Sequence, residues 1–255
     1  MKLDYVTIEK RDGAAIVRFD RKQNLNAFNE KLVVELTQVA KSFHDDIDTQ
    51  VVILSGARNA FSAGFDLKAT DAWITEKDDL KRRQRAYGGV RLCKAWEEMP
   101  QVTIAAMEKL AVGAGVAIAL ACDWRVLGRG AYLYVPEVKI GLNLQWGALP
   151  RLITLVGPAR AKRITIMCEK MPASMALDWG LVDELAEDGQ AVDKANAMAE
   201  VVLSMPAATV RMVKQAVNAT AGALHAATAF ADADQSQLTA SFMSAETARE
   251  AFRKR

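Results

Sequence analysis

The sequence predicts an α/β core followed by a helical C-terminal region. The first third of the chain alternates short β-rich runs with amphipathic segments, and after Gly147 the pattern becomes mostly helical. With 255 residues, of which 51% are hydrophobic and 25% charged, the chain is long enough to bury a sizeable core. No linker, repeat or low-complexity tract divides it, so we place the core in residues 1–190 and the helical region in residues 191–255.

The first predicted elements are a β-hairpin and a helix. Val6–Glu9 and Ala14–Phe19 are short β-rich runs joined by an Asp-Gly turn, which is a strong hairpin signal. Asn29 is in position to cap a helix over Glu30–Phe43, whose apolar residues recur at helical spacing. Further short apolar runs predict strands over Val51–Leu54, Val102–Ala106 and Trp124–Leu127.

The remaining pattern is mainly helical. Asp71–Glu98 is long and charged, and Val116–Ala121 predicts a buried helix that is entered through a glycine turn at Gly113. Leu181–Leu185 predicts a short strand. The other predicted helices are Ala148–Val156, Pro158–Met167, Ser174–Trp179, Ala191–Ser204, Ala207–Ala219, Leu224–Leu238 and Ala245–Lys254. The sequence does not decide whether the last helices pack on the core or on a neighbouring subunit.

Composition excludes several classes of function. Lys plus Arg number 33 and Asp plus Glu 31, so a net charge of +2 gives no general attraction to nucleic acid or to anionic membranes. Three widely spaced cysteines and two histidines predict neither a disulfide framework nor a metal site. The longest uncharged apolar run, Leu110–Cys122, has 13 residues and is too short to span a bilayer. With no secretory signal at the N-terminus, the expected location is the cytoplasm.

Two glycine turns are the first candidates for chemistry. In Asn59–Lys68 a glycine lies between an apolar and a polar segment, and in Val112–Val116 two glycines precede the buried helix. Free N–H groups at such a helix start stabilise negative charge. Ordinary strand-to-loop or packing turns would also explain both segments. The second turn is not a GxGxxG motif, so a dinucleotide site is not predicted.

Glu137 is the candidate acid or base. It follows Pro136 within the apolar stretch Tyr134–Gly141, and a carboxyl group in such surroundings has a raised pKa that suits proton transfer. A helix-capping or salt-bridged glutamate would show the same sequence pattern.

The basic run Leu80–Arg85 could contact phosphates or RNA. A solvated helix face explains it better, and we expect no nucleic-acid partner.

Seven segments, in order along nearly the whole chain, together resemble the crotonase (enoyl-CoA hydratase/isomerase) superfamily. These segments are Arg21–Phe28, Phe61–Lys68, Glu108–Asp123, Tyr134–Gly141, Leu155–Ala161, Met171–Leu185 and Ala248–Lys254. The resemblance implies a crotonase-like spiral of ββα units with a C-terminal helical trimerisation region, and a homotrimer or a dimer of trimers. It also implies acyl-CoA substrates, with no cofactor besides the coenzyme A that belongs to the substrate.

The same resemblance implies roles for particular residues. The backbone N–H groups of Phe65 and Ala114 would form an oxyanion hole for the thioester oxygen, and Glu137 would be a catalytic acid/base. The residues that would bind coenzyme A are Gln23, Asn24, Leu25, Ala63, Asp66, Leu67 and Lys254. Lys254 would lie near the nucleotide phosphates, either of its own subunit or of a neighbouring one.

Departures from the family pattern bear on the reaction. Hydratases of the family carry two glutamates, and here the first of these positions is Ala117. No carboxylate stands near Gln145, where a dienoyl isomerase or a dehalogenase would have an Asp. One remaining acid suits an enoyl-CoA isomerase that moves a proton with a single carboxylate. The alternatives are a hydratase in which Asp71, Glu76 or Gln145 replaces the missing glutamate, a CoA-thioester hydrolase, or a non-catalytic CoA- or RNA-binding protein.

The variable segment Thr70–Gly89 is expected to set the acyl pocket. Trp73, Tyr87 and Trp146 could line that pocket, or could serve only in packing.

Overall fold

A six-stranded sheet forms the centre of the computed structural model, which describes residues 2–66, 76–225 and 229–253. Its strands are β1 (Val6–Arg11), β2 (Ala14–Phe19), β3 (Val51–Ser55), β4 (Val102–Met107), β6 (Trp124–Gly128) and β9 (Glu184–Ala186). Their spatial order is β1-β2-β3-β4-β6-β9; β1 is antiparallel to β2 and the other neighbours are parallel. The hairpin and the four predicted strands are confirmed, with the last one shifted by a few residues toward the C-terminus.

A second, three-stranded sheet was not predicted. It consists of β5 (Leu110–Val112), β7 (Tyr132–Tyr134) and β8 (Met171–Pro172), with β5 parallel and β8 antiparallel to β7. Strands of two or three residues are too short to show an alternating pattern, so the sequence carried no signal for them.

Ten α-helices are described. They are α1 (Glu30–Ser42), α2 (Asp79–Ala86), α3 (Gly88–Glu97), α4 (Ala114–Leu120), α5 (Ala148–Lys162), α6 (Ala173–Asp178), α7 (Ala191–Leu203), α8 (Ala207–Ala221), α9 (Asp232–Ala240) and α10 (Met243–Arg253). The predicted cap of α1 is confirmed, because Asn29 Oδ1 accepts a hydrogen bond of 2.9 Å from the N–H of Leu32. The part of the chain that the structure describes contains no helix long and apolar enough to cross a bilayer.

Helices cover both faces of the large sheet. Alternate residues of β3 point to opposite faces, so Val52 and Leu54 belong to the main core while Val51 and Ile53 belong to a second one. The main core contains residues of α1, α3 and α4, and α7 packs on the second face. Helix α7, which begins at Ala191 in the predicted C-terminal region, therefore packs on the central sheet. The division of the chain between residues 190 and 191 stays a prediction.

The predicted continuous helix over Leu224–Leu238 is wrong. A 3-10 turn occupies Gly222–Leu224, and α9 begins only at Asp232, after a turn. The reason is a tertiary contact, because Asp232 is buried and its Oδ2 accepts a hydrogen bond of 2.6 Å from the N–H of Gly147. The predicted break between the helices Ala148–Val156 and Pro158–Met167 is confirmed. Gly157 has a φ of 78° and interrupts the helical conformation within α5.

Candidate active site

Two loop segments from the N-terminal part of the chain are held together by hydrogen bonds. Asn26 is buried in a 3-10 turn, and its Nδ2 donates to the carbonyl of Phe61 at 2.9 Å. In return, the N–H of Ala63 donates to the carbonyl of Leu25 at 2.9 Å, and Ser62 Oγ donates to the carbonyl of Asn26 at 2.9 Å. The two segments therefore form one surface, as expected if both contact the same ligand.

Asp66 ties this surface together. Its Oδ2 accepts hydrogen bonds from Asn24 Nδ2 at 3.1 Å and from Arg21 Nη1 at 3.2 Å. Arg21 is buried and also donates to the carbonyl of Ala27 at 2.6 Å. Sequence reasoning missed Arg21, which orients Asp66, because nothing in its local pattern indicated a partner 45 residues away.

The residues predicted to bind coenzyme A lie close to one another where the structure describes them. Gln23, Asn24 and Leu25 are exposed, and Leu25 keeps 51% of its surface accessible. Two further predicted positions, Leu67 and Lys254, lie outside the described residues.

The two glycine turns lie side by side. The N–H of Ser62 donates to the carbonyl of Leu110 at 3.1 Å, and the N–H of Val112 donates to the carbonyl of Ser62 at 2.9 Å. A Cβ placed on Gly64 would lie 3.0 Å from the Val112 carbonyl oxygen and 3.8 Å from the Ala114 nitrogen. Gly64, with a φ of 94°, thus allows a close approach of the first turn to the second.

Ala114 begins the fully buried helix α4. The N–H groups of a first helical turn have no acceptor within the helix, so they are free to bind a negatively charged oxygen. One turn further along, Ala117 presents a methyl group where the sequence comparison with hydratases placed a glutamate.

Glu137 lies at the start of a 3-10 turn over Glu137–Ile140, directly after Pro136. Its Oε2 is buried and has no hydrogen-bond partner in the described part of the chain. Burial raises the pKa of Glu137 to about 7, because removing the charged form from water is unfavourable, and a hydrogen bond from its own backbone N–H opposes this only in part. Among the described residues no cation pairs with Glu137, which excludes the salt-bridged alternative. The cap position of this turn is Pro136, without a side-chain cap hydrogen bond, so Glu137 is not its capping residue.

One cavity of about 340 Å³ brings these groups together. Phe65, Ala114 and Glu137, the three predicted catalytic positions, all line it, together with Ala117 and Gln145. Within residues 2–66, 76–225 and 229–253, Glu137 contributes the only carboxylate of its lining. Of the predicted coenzyme A residues that are described, Ala63 alone lines this cavity.

The C-terminal helices of the same chain form one wall of the cavity. Ser236, Gln237, Ala240 and Ser241 line it from α9 and the turn after it, and Arg249 lines it from α10. The sequence did not decide whether this region packs on its own core or on a neighbouring subunit. In the described part of the chain, α9 and α10 pack on the core of the same chain.

The aromatic candidates for the acyl pocket separate into three cases. Trp146 lines the cavity, Tyr87 does not, and Trp73 lies outside the described residues.

The remaining charged candidates are paired. Glu76 does not line the cavity, and its Oε2 lies 3.2 Å from Arg85 Nη1. In the basic run, every cation has a carboxylate partner within 4 Å, in the pairs Lys81–Asp78, Arg82–Asp79, Arg83–Asp234 and Arg85–Glu76. Such pairing favours the solvated-helix interpretation over an RNA contact.

Comparison with known proteins agrees with this geometry. A family model described as enoyl-CoA hydratase/isomerase matches residues 9–254. A short-chain-enoyl-CoA hydratase of Clostridium acetobutylicum is 31% identical over 219 residues, covering 86% of this chain and 82% of that protein. A crotonyl-CoA hydratase of Syntrophomonas wolfei is 27% identical, covering 86% of this chain and 83% of the relative.

Solved structures show the same fold. The crystal structure of an enoyl-CoA hydratase from Mycobacterium avium subsp. paratuberculosis superposes with a TM-score of 0.88 at 24% identity, covering 99% of this chain and 97% of the other. An enoyl-CoA hydratase from Bacillus anthracis gives a TM-score of 0.78 at 27% identity, covering 84% and 82% of the two chains. These matches confirm the predicted α/β fold with a C-terminal helical region.

Proposed function

Because the chain belongs to the enoyl-CoA hydratase/isomerase family, we propose that it converts 3-enoyl-CoA to 2-enoyl-CoA with Glu137 as the single acid/base. One observation supports this proposal above all. Among the described residues that line the cavity, Glu137 is the only carboxylate, and Ala117 stands where a second would be expected. Isomerisation needs one group that takes up a proton and returns it, whereas hydration in this family uses two glutamates.

The proposed reaction begins with proton abstraction. The Glu137 carboxylate takes the proton from C2 of the 3-enoyl thioester. The electrons of that C–H bond form a C1–C2 double bond, and the π electrons of the carbonyl move onto the thioester oxygen, giving a dienolate. The Glu137 carboxylic acid then returns the proton to C4. The double bond moves from C3–C4 to C2–C3, with no change in composition. A pKa of about 7 suits both steps, because neither protonation state is strongly favoured at neutral pH.

The dienolate oxygen would be held by the N–H groups of Phe65 and Ala114. Both residues line the cavity, and the close approach of their two turns supports a shared target. Only the backbone of Phe65 is required, so its large side chain is compatible with this role. In other enzymes the loss of one such donor raises the barrier by about 2.7–4 kcal/mol.

Hydration of 2-enoyl-CoA is the second candidate, favoured by the names of the relatives. It requires another group to hold the water. Glu76 is paired with Arg85, and Asp71 lies outside the described residues. Gln145 lines the cavity and could hold a water, but its amide cannot exchange a proton as a carboxyl group does. A thioester hydrolase is the third candidate.

Coenzyme A binding, assembly and location remain proposals from the resemblance. The nucleotide portion would lie along Gln23–Leu25, Ala63 and Asp66, with Leu67 and Lys254. The assembly would be a homotrimer or a dimer of trimers in the cytoplasm. Light scattering coupled to gel filtration tests the assembly.

The test offers purified protein a 3-enoyl-CoA and, separately, a 2-enoyl-CoA, and follows the absorbance of the conjugated thioester and the product mass. We expect absorbance to rise from the 3-enoyl substrate with no change in mass. Addition of one water to the 2-enoyl substrate, without conversion of the 3-enoyl substrate, would instead establish a hydratase. Release of free thiol from either would indicate a hydrolase.

Substitution of the base completes the test. Glu137→Gln keeps the shape of the side chain and removes proton transfer, so kcat/KM should fall at least about 100-fold. Glu98→Gln is the matched control, because Glu98 is exposed directly after α3 and its ion pair among the described residues is with Lys94. If Glu137→Gln stays within about tenfold of this control, equivalent to about 1.4 kcal/mol, another group carries the proton.

A further inference from the structure

Two guanidinium groups line the same cavity as Glu137. Arg249 approaches from α10, and its Nη2 donates to the carbonyl of Ala240 at 3.2 Å, while no carboxylate in the described part of the chain pairs with it. Arg82 approaches from α2, where one nitrogen donates to Asp79 at 2.8 Å and Nε is buried without an acceptor. Arg82 is thus paired with Asp79, whereas Arg249 is the cation of the lining that has no carboxylate partner among the described residues.

Uncharged polar groups accompany these cations. Ser236, Gln237 and Gln145 also line the cavity, and their side chains make no hydrogen bond to any of the described residues. Ser236 is 7% exposed, and Gln145 and Gln237 are half-buried. Their hydroxyl and amide groups can donate hydrogen bonds to a polar part of a ligand in this cavity.

The two guanidinium groups form no ion pair with the proposed base. Arg82 lies on α2 and Arg249 on α10, and neither guanidinium has a nitrogen within 4 Å of a carboxylate oxygen of Glu137. Arg249 therefore remains available to a part of the ligand other than the atoms that exchange the proton.

The wall that carries these residues is fixed to the rest of the protein. Arg83 Nε donates to Asp234 Oδ1 at 3.0 Å, which joins α9 to α2. Helix α10 packs on the 3-10 turn that contains Glu137, with Ala245 directly against Gly141. The guanidinium groups are therefore placed relative to Glu137 by contacts within one chain.

We propose that the acyl group ends in a carboxylate that Arg249 binds with the help of Arg82, so the substrate is a coenzyme A monothioester of an unsaturated dicarboxylic acid. This inference rests on the proposed function, because it assigns the acyl chain to this cavity. A carboxylate matches the planar donor pattern of guanidinium, and the hydroxyl and amide groups nearby supply further donors. A purely hydrocarbon chain would offer no acceptor to the remaining donors of these groups.

The other anion available in the substrate is a phosphate of coenzyme A. The described residues assigned to coenzyme A, apart from Ala63, lie outside this cavity. We therefore assign the acyl carboxylate to the guanidinium groups, and the experiment separates the two sources.

The test measures binding with non-reacting ligands, so that it does not depend on catalysis. Calorimetry compares the saturated monothioester of a dicarboxylic acid with its methyl ester, which has the same chain but no charge. We expect the carboxylate form to bind at least about tenfold more tightly, or about 1.4 kcal/mol. Arg249→Gln should remove this preference and Arg82→Gln should reduce it. The control Arg91→Gln, an exposed arginine on α3 that does not line the cavity, should keep it.

Three results would overturn the proposal. One is equal affinity of the wild-type protein for the acid and the ester. Another is a preference that survives Arg249→Gln. The third is an equal loss of affinity for acid and ester in Arg249→Gln, together with a loss of discrimination between coenzyme A and dephospho-coenzyme A, because this would place a phosphate on the guanidinium. The wild-type protein could also prefer the acid to the ester, lose that preference in Arg249→Gln, and still fail to isomerise the corresponding 3-enoyl-CoA. This result would uphold the carboxylate site and reject the isomerase.

Discussion

Gly113 lies directly against the carboxyl group of Glu137, since a Cβ placed on Gly113 would be only 2.5 Å from Glu137 Oε1. Gly113 has a φ of 47°, and its N–H donates to the carbonyl of Tyr134 at 2.9 Å. The same glycine therefore leaves room for the proposed base and turns the chain so that Ala114 starts α4. One residue position couples the placement of the base with that of the oxyanion donor.

Gly113→Ala should lower kcat/KM about 100-fold, because a displacement of the catalytic group by about 1 Å can have this effect. It should also destabilise the fold by about 1–2 kcal/mol, as a side chain is strained at positive φ. Steady-state kinetics and thermal unfolding measure the two effects. Gly189→Ala is the control, since Gly189 has a φ of 85° but no atom of the described residues would lie within 4 Å of an added Cβ. Equal activity of the two variants would contradict the proposed coupling.

The sequence predicted Glu137 and the two glycine turns because their signals are local. A carboxylate among apolar residues, and glycines where a run of apolar residues begins or ends, can be recognised within a few positions. The wall formed by α9 and α10 could not be predicted in this way. Its anchoring pair, Arg83 and Asp234, is separated by 151 residues, and each member alone looks like an ordinary surface charge.

The pH dependence of kcat/KM should report the ionisation of Glu137. The carboxylate is the form that accepts the proton from C2, and its pKa is raised to about 7 by burial. Activity should therefore be on a plateau above about pH 7 and should fall about tenfold per unit below it. Measurement between pH 5 and 9 in buffers of constant ionic strength provides the profile. A profile that stays flat to pH 5 would show that a group with an ordinary carboxyl pKa, or no carboxyl group, is the base.

Asp234→Asn should loosen the contact between α9 and α2. The hydrogen bond from Arg83 lowers the pKa of Asp234, so the ion pair is present above the ordinary carboxyl pKa and is lost as pH falls below the lowered value. Solvent weakens an exposed ion pair, so we expect at most about a fivefold fall in kcat/KM and faster proteolytic cleavage near residue 230. Glu187→Gln serves as the control, because it removes an exposed ion pair with Arg129 that lies outside α2 and α9. Identical cleavage of both variants would refute a role for the pair in holding the wall.

Trp146 should limit the length of the acyl chain. Its ring lies edge-on to Phe28 at 5.5 Å and to Phe65 at 6.3 Å, and a Cβ on Gly89 would overlap it. The residue has a φ of 64°, so its backbone is held in a conformation that side-chain-bearing residues rarely adopt.

Trp146→Phe removes the outer ring of the indole and leaves space toward Gly89. The ratio of kcat/KM for an acyl chain one methylene longer to that for the shorter chain should rise at least about tenfold, because one methylene in an apolar pocket contributes about 1–3 kcal/mol. Some loss of stability, about 0.5–3 kcal/mol, should accompany the change. Trp179→Phe is the control, since the guanidinium of Arg160 lies over the Trp179 ring and Trp179 does not line the cavity. Chain-length profiles that are the same in both variants would mean that Trp146 supports Phe65 from behind, and that another residue sets the end of the acyl pocket.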